Sequence, residues 1–295
     1  MGLQFTRGRD MPAANMYYKV LVYGHSGAGK TWLAASAPNP IVLLTEQNGL
    51  QSARLSNPDA RVAYTSSIDD VRDLAQAARS GSLSGVDTIV IDGLTEIQRL
   101  FKDEMLAQRG TDEFSIAMWG ELTEKMRRLL RLLRDVPYHV VCTALAETEM
   151  EGEIRHVFPA FQGKKLYDEV MQYFNLVGYA YKVAKGDSVE HVVMFDGPSR
   201  FAAKNCHPVR GTRPGPVSVW ISELRGAGDA PRAIPTPAPT PAPEAGSNAA
   251  SPEPRTAPDA PEAPAPAAGA SPGEGQAAGA RRLRGRASAK DEIPG

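Results

Sequence analysis

Cysteine is nearly absent: Cys142 and Cys206 are the only two in 295 residues. Two such residues build no disulfide framework, and Cys142 stands inside an apolar run, so a reducing interior is expected. Net charge is nearly absent as well, with 33 Lys and Arg against 34 Asp and Glu. The tail from Gly226 carries seven of the bases and eight of the acids, so it accounts for the whole −1 and the remainder sums to zero. This excludes a global basic signature for nucleic acid, leaving local loops or charge gathered by oligomerisation. No apolar run is long enough to span a bilayer, and the first residues lack the apolar segment of a secretory signal. No membrane partner is expected. Residues 1–6 match the loose myristoylation pattern, which is read as accidental because nothing else suggests a eukaryotic host.

Aromatic residues stop at Trp220, where the composition changes abruptly. Of the 24 prolines, 14 lie between Pro231 and Pro294, among Ala, Thr, Glu, Gly and Ser. Such a segment has too few large apolar groups to offset its ordering entropy, so residues 223–295 are expected to be disordered. Residues 1–16 form a lead segment. Residues 17–222 suffice for one α/β domain with a sizeable core.

What the chain does have is a glycine loop in the right setting. Residues 24–31 read GHSGAGKT, a full match to G-x-x-x-x-G-K-[ST]. A β-prone run over 17–23 precedes it and a helix-prone stretch from Thr31 follows. Gly24, Gly27 and Gly29 leave room for backbone N–H groups, with those of His25, Ser26 and Ala28, to turn around phosphate oxygens. The helix that follows presents its positive end to the same anion. Lys30 is placed to reach the β- and γ-phosphates of ATP, and the Thr31 hydroxyl to ligate Mg²⁺.

Residues 87–92, DTIVID, form a β-branched run ending in a carboxylate. In P-loop enzymes such an aspartate, here Asp92, holds Mg²⁺ opposite the loop hydroxyl. Gly93 follows, not Glu, so a water-activating base must come from elsewhere. A second strand over 41–46 ends in Glu46, at the end of the sheet where ligands bind in open α/β folds. From there Glu46 would orient water towards the γ-phosphate. The alternatives are that Glu46 caps the loop after it, or that Glu96, at the start of a helix, is the base.

These features together resemble the RecA-like ATPases. The segments LVYGHSGAGKT, LLTEQNGL and TIVIDGLTEI are most similar to phage-encoded members, small RecA-core nucleotide-binding proteins of which some act in single-strand annealing or recombination. The resemblance spans roughly residues 17–205. It implies a three-layer α/β P-loop fold with a mainly parallel sheet. It also implies a homo-oligomer in the cytoplasm of a bacterium or phage-infected cell, working on single-stranded DNA. By the same resemblance Thr143, at the end of the strand over 138–143, is the counterpart of a γ-phosphate sensor. Lys204, with Arg200 behind it, matches a finger that reaches a neighbouring subunit's phosphate. Lys204-Asn205-Cys206 resembles the Lys-Asn-Arg motif of RadA-type members with cysteine in the arginine's place.

Residues 119–134 carry apolar side chains at helical spacing, with arginines on the remaining, solvated faces. His139 enters the strand over 138–143 as a structural residue. The segment after Thr143 is glutamate-rich and turns at Gly152. Its second half mixes Phe158 and Phe161 with bases suited to stacking on and neutralising a single strand. Lys164 and Lys165 are the candidates there for DNA contact, or else they set up the next helix. A hairpin is predicted with strands over 191–195 and 200–203. The tail ends in an arginine cluster over 281–286 and an acidic tip. That tip is similar to the end of bacterial single-strand-binding proteins without its apolar anchor, and so is a candidate for docking a replication partner. Two other function classes stay open: a P-loop kinase for a small molecule, and an ATP-switched assembly or scaffold protein without turnover.

Overall fold

A computed structural model describes residues 7, 16–163, 166–207 and 209–226. The central strands of its sheet, over residues 19–24, 40–44, 88–92 and 139–144, are nearly continuous buried apolar runs, as strands covered on both faces must be. Five of the pairings are parallel. They run in the spatial order β7 (Leu176–Lys185), β1 (Lys19–Gly24), β5 (His139–Glu151), β4 (Thr88–Asp92), β2 (Pro40–Leu44) and β3 (Arg61–Tyr64). On the β7 side the sheet continues antiparallel through β8 (Ser188–Met194) and β10 (Thr212–Pro214). Two further strands lie off this path: β6 (Ile154–Pro159) pairs with β5, and β9 (Lys204–Asn205) with β7.

Alternation along the strands builds two cores. Leu21, Tyr23, Leu43, Ile89, Ile91, Val140 and Cys142 point to one face. There they meet the apolar stripes of α3 (Ile68–Arg79), α4 (Leu94–Arg109), α5 (Ile116–Asp135) and α6 (Leu166–Met171). Val20, Val22, Val42, Leu44, Val90 and Val141 point to the other face, against α1 (Lys30–Ala35), α2 (Gly49–Ser56) and α7 (Val217–Gly226). The expected three-layer α/β arrangement is therefore the one observed, and α7 extends the folded part to Gly226. Trp220, the last aromatic residue, is buried beside Phe195 in this second core and donates its indole N–H to Pro214 O at 2.7 Å.

Long-range ties fix the feet of the central strands. Tyr18 N–H donates to Nδ1 of the fully buried His139 at 3.0 Å, and the two rings stack with centroids 5.5 Å apart. Buried Lys19 donates its ammonium to the carbonyls of Val136 and Tyr138 beyond α5. His139 is thus structural, as its position in the strand suggests. On α5, Arg127 makes a paired contact with Glu169 of α6, and Arg128 and Arg131 lie near Glu124. These arginines sit on an ion-paired, solvated face.

Three local expectations need correction. First, β5 does not end at Thr143 but runs eight residues further to Glu151, as one arm of a hairpin with β6 that turns at Gly152 (φ 62°). Buried apolar alternation gives way there to exposed glutamates without any break in pairing. Second, the 191–195 strand does not pair with 200–203. It pairs with β7, a strand not anticipated over 176–185, through a turn at Gly186 (φ 61°). Residues 200–203 instead form only an isolated bridge at Phe201 to Val157. Third, Phe161 is buried in the core and Phe158 stacks on Tyr167 at 4.6 Å, so packing occupies both rings assigned to base stacking. The expectations for Lys164 and Lys165, and for the tail from 227 with its arginine cluster and acidic tip, lie outside the described residues. No helix among the described residues is long and apolar enough to cross a membrane.

Candidate functional site

The carboxyl ends of β1, β2 and β4, with the middle of β5, open onto one cavity of about 440 Å³. The loop leaving β1 requires glycine for stated reasons. Gly27 (φ 76°) and Gly29 (φ 87°) take left-handed backbone conformations that residues with a Cβ avoid. A Cβ on Gly24 would stand 2.6 Å from Ala180 O of β7. Gly29 is also the N-cap of α1 and has no side chain to cap the helix, so the first N–H groups of α1 are left for a ligand. Lys30 donates its ammonium to His25 O at 3.0 Å. Burial draws Lys30 below the ordinary lysine range, while the Asp92 and Glu46 carboxylates act in the opposite sense.

Asp92 ends β4 between two hydroxyls. Thr31 Oγ1 donates to its Oδ2 at 2.7 Å, and Thr143 Oγ1 donates to its Oδ1. Thr143 reaches Asp92 because β5 is inserted between β1 and β4, pairing Val22 with Thr143 on one side and Ile91 with Cys142 on the other. The peptide between Asp92 and Gly93 is cis. A Cβ on Gly93 would lie 3.0 Å from Thr143 Oγ1, so a glutamate after Asp92 would crowd the very hydroxyl that orients it. Glu46 lies two residues past β2, exposed at the cavity wall, and Glu96 lines the same cavity. Arg99 lies 2.9 Å from Glu96, whereas among the described residues no ion pair engages Glu46.

Sequence reasoning passed over several residues here. Thr45 Oγ1 donates to Asp92 O and accepts from Gly93 N–H, both at 3.0 Å, which clamps the turn after β4. Thr95 accepts from Leu145 N–H and donates to Ala160 O, joining α4 to β5 and to the segment after β6. Buried Gln98 exchanges two 2.7 Å hydrogen bonds with the backbone of Gln162. His191 brings its ring from β8 to Ala28 O at 3.0 Å and lines the cavity with Trp32. A polar residue beside a motif was the only available signal for Thr45 and Thr95. Nothing in the sequence signals His191.

Of the expected residues, Ser26, Gly27, Gly29, Lys30 and Thr31 of the loop, with Glu46, Asp92 and Thr143, line the cavity, whereas Gly24, His25 and Ala28 do not. Lys204 does not line it: its ammonium donates to Met171 O and Gln172 O, both at 3.3 Å, at the end of α6. Reaching a neighbouring subunit's phosphate would require it to leave those carbonyls.

The site fits a magnesium nucleotide. Among the described residues no group of three or more His, Cys, Asp or Glu can hold a metal. A hydroxyl and one carboxylate next to a phosphate cradle suit a hard cation whose remaining ligands are phosphate oxygens and water. A family model described as an AAA domain matches residues 16–207, well over half of the chain. The chain belongs to this AAA-domain family of P-loop ATPases. No curated protein matches the chain. Membership supports nucleotide binding and hydrolysis.

Proposed function

We propose that this AAA-domain protein is a Mg²⁺-dependent ATPase of RecA-like type that works as a homo-oligomer on single-stranded DNA, in phage or bacterial recombination or replication. The observation that carries the reading is the Asp92 carboxylate held between the Thr31 and Thr143 hydroxyls, facing the glycine loop. Thr31 and Asp92 would hold Mg²⁺, and Lys30 with the loop amides would hold the triphosphate. When bound, the cation neutralises charge developing on the β- and γ-phosphate oxygens. Glu46, free of ion pairs among the described residues, takes the proton of the attacking water better than Glu96, which Arg99 engages.

Support for a DNA-coupled role comes from β5. The strand leaves Thr143 at the nucleotide site and continues unbroken into the β5–β6 hairpin, beyond which Gln162 is tied back to α4. Glu147, Glu149, Glu151 and Glu153 make the hairpin itself acidic, so DNA would have to be met after it, at Lys164 and Lys165. The test is steady-state ATPase with and without single-stranded DNA, with Lys30→Ala and Glu46→Gln as controls. DNA stimulation that both substitutions abolish is the expected result. Hydrolysis indifferent to DNA refutes the DNA role and moves weight to a small-molecule kinase. Binding without turnover, unchanged in Glu46→Gln, moves it to an ATP-switched scaffold.

A further inference from the structure

His191 is a polar cavity residue that phosphate and metal chemistry leave unused. It sits half-buried on β8, 163 positions from the loop carbonyl it touches, with Val192 and Val193 anchoring the strand in the core behind it. Its Nδ1 lies 3.0 Å from Ala28 O. A carbonyl oxygen only accepts, so this contact puts the ring proton on Nδ1 and leaves the lone pair of the neutral ring on Nε2. Among the described residues no hydrogen bond engages Nε2. The ring also packs on Trp32, with centroids 5.8 Å apart and planes at 33°. Any side chain at position 29 would overlap it, so the loop glycine and His191 are fitted to one another.

The cavity wall includes two distinct groups of side chains. One is the set of hydroxyls and carboxylates around Asp92. The other is Trp32 and His191, which offer flat apolar surface and one free acceptor. A triphosphate with its terminal phosphates at Lys30 and Asp92 must place its nucleoside away from the first group. A lone-pair nitrogen repels phosphate oxygens but accepts from a hydroxyl. We propose that His191 is a nucleotide-selecting residue whose Nε2 accepts a hydrogen bond from a ribose hydroxyl, while its Nδ1–H holds the Ala28 carbonyl and Trp32 packs against the nucleoside. The assignment rests on the nucleotide-binding reading above and adds to it a preference for ribonucleotides.

Isothermal titration calorimetry of the full chain in Mg²⁺ tests this with ATP, 2′-deoxy-ATP, 3′-deoxy-ATP and inorganic tripolyphosphate. The unaltered chain is expected to bind ATP roughly three- to tenfold more tightly than at least one deoxy analogue, the worth of one hydrogen bond. His191→Asn keeps an N–H for Ala28 O but has no counterpart of Nε2, and should bring that ratio to one. His191→Phe keeps the packing on Trp32, should also bring the ratio to one, and should weaken tripolyphosphate because the loop carbonyl is released. Equal affinity of the unaltered chain for all three nucleotides overturns the His191 assignment alone. So does a ratio that persists in both variants. If one variant does not fold, the other and the unaltered chain still decide. No binding of ATP or tripolyphosphate by the unaltered chain overturns the nucleotide reading itself.

Discussion

Acid should weaken this fold through one buried ring. His139 lies at the foot of β5, 0 % exposed, and its Nδ1 accepts the Tyr18 N–H that ties β5 to β1. Burial pushes its pKa down to about 4, the Arg225 and Lys19 cations push the same way, and Asp87 opposes them. In the unfolded chain the ring returns to about 6.5. Between those values the unfolded chain binds a proton that the folded one does not, so stability rises with pH over that window and is lost as pH falls from 6.5 to 4. At about 1.4 kcal/mol per pH unit, the gap corresponds to roughly 3 kcal/mol, a large part of the stability of an ordinary domain. The assay is urea denaturation at several pH values between 4 and 7 for the unaltered chain and His139→Asn. Asparagine can still accept the Tyr18 N–H but does not titrate. Carboxylates contribute equally to both proteins, so the difference between the two curves isolates the ring. Parallel curves across the window would refute the reasoning.

Three further outcomes are expected. Thr143→Val removes one charge-assisted hydrogen bond to Asp92 without touching the loop, and should raise the Mg²⁺ needed for half-maximal ATPase by about tenfold, read from a Mg²⁺ titration. Gly29→Ala places a Cβ at φ 87° and against His191, and should cut ATP affinity by at least about tenfold in calorimetry; retained affinity would mean that the loop and His191 yield easily. Lys19, drawn by burial to about 8 from 10.5, is charged in the unfolded chain but neutral in the folded one between those values. The fold should therefore gain stability from pH 8 to 10.5, a gain absent in Lys19→Met when denaturation midpoints are compared.

The four central strands β1, β2, β4 and β5, the GHSGAGKT loop and the carboxylate at Asp92 were legible in the sequence because each is local: a run of β-branched residues, glycines where the backbone must turn, an acid at a strand end. The loop's backbone and Lys30 needed no more than their neighbours to be recognised. The order of strands in the sheet was not legible, because it is settled by which apolar faces two helical layers bury together. That order inserts β5 between β1 and β4 and so sets Thr143 against Asp92, 51 residues away in the chain. The pairing of β8 with β7 misled sequence reading for a related reason. A Gly-Pro turn after 195 looks like a hairpin locally, but Val193 pairs with Ala180 of β7 on one side and Arg213 of β10 on the other, and not with residues 200–203. His191 follows from that pairing. In the sequence it is one histidine in an amphipathic strand, and only the antiparallel extension of the sheet brings its ring over the loop. The sequence alone determined that this chain cradles phosphate; tertiary packing decided which distant side chains surround it, since contacts between residues far apart in the chain leave no local pattern to read.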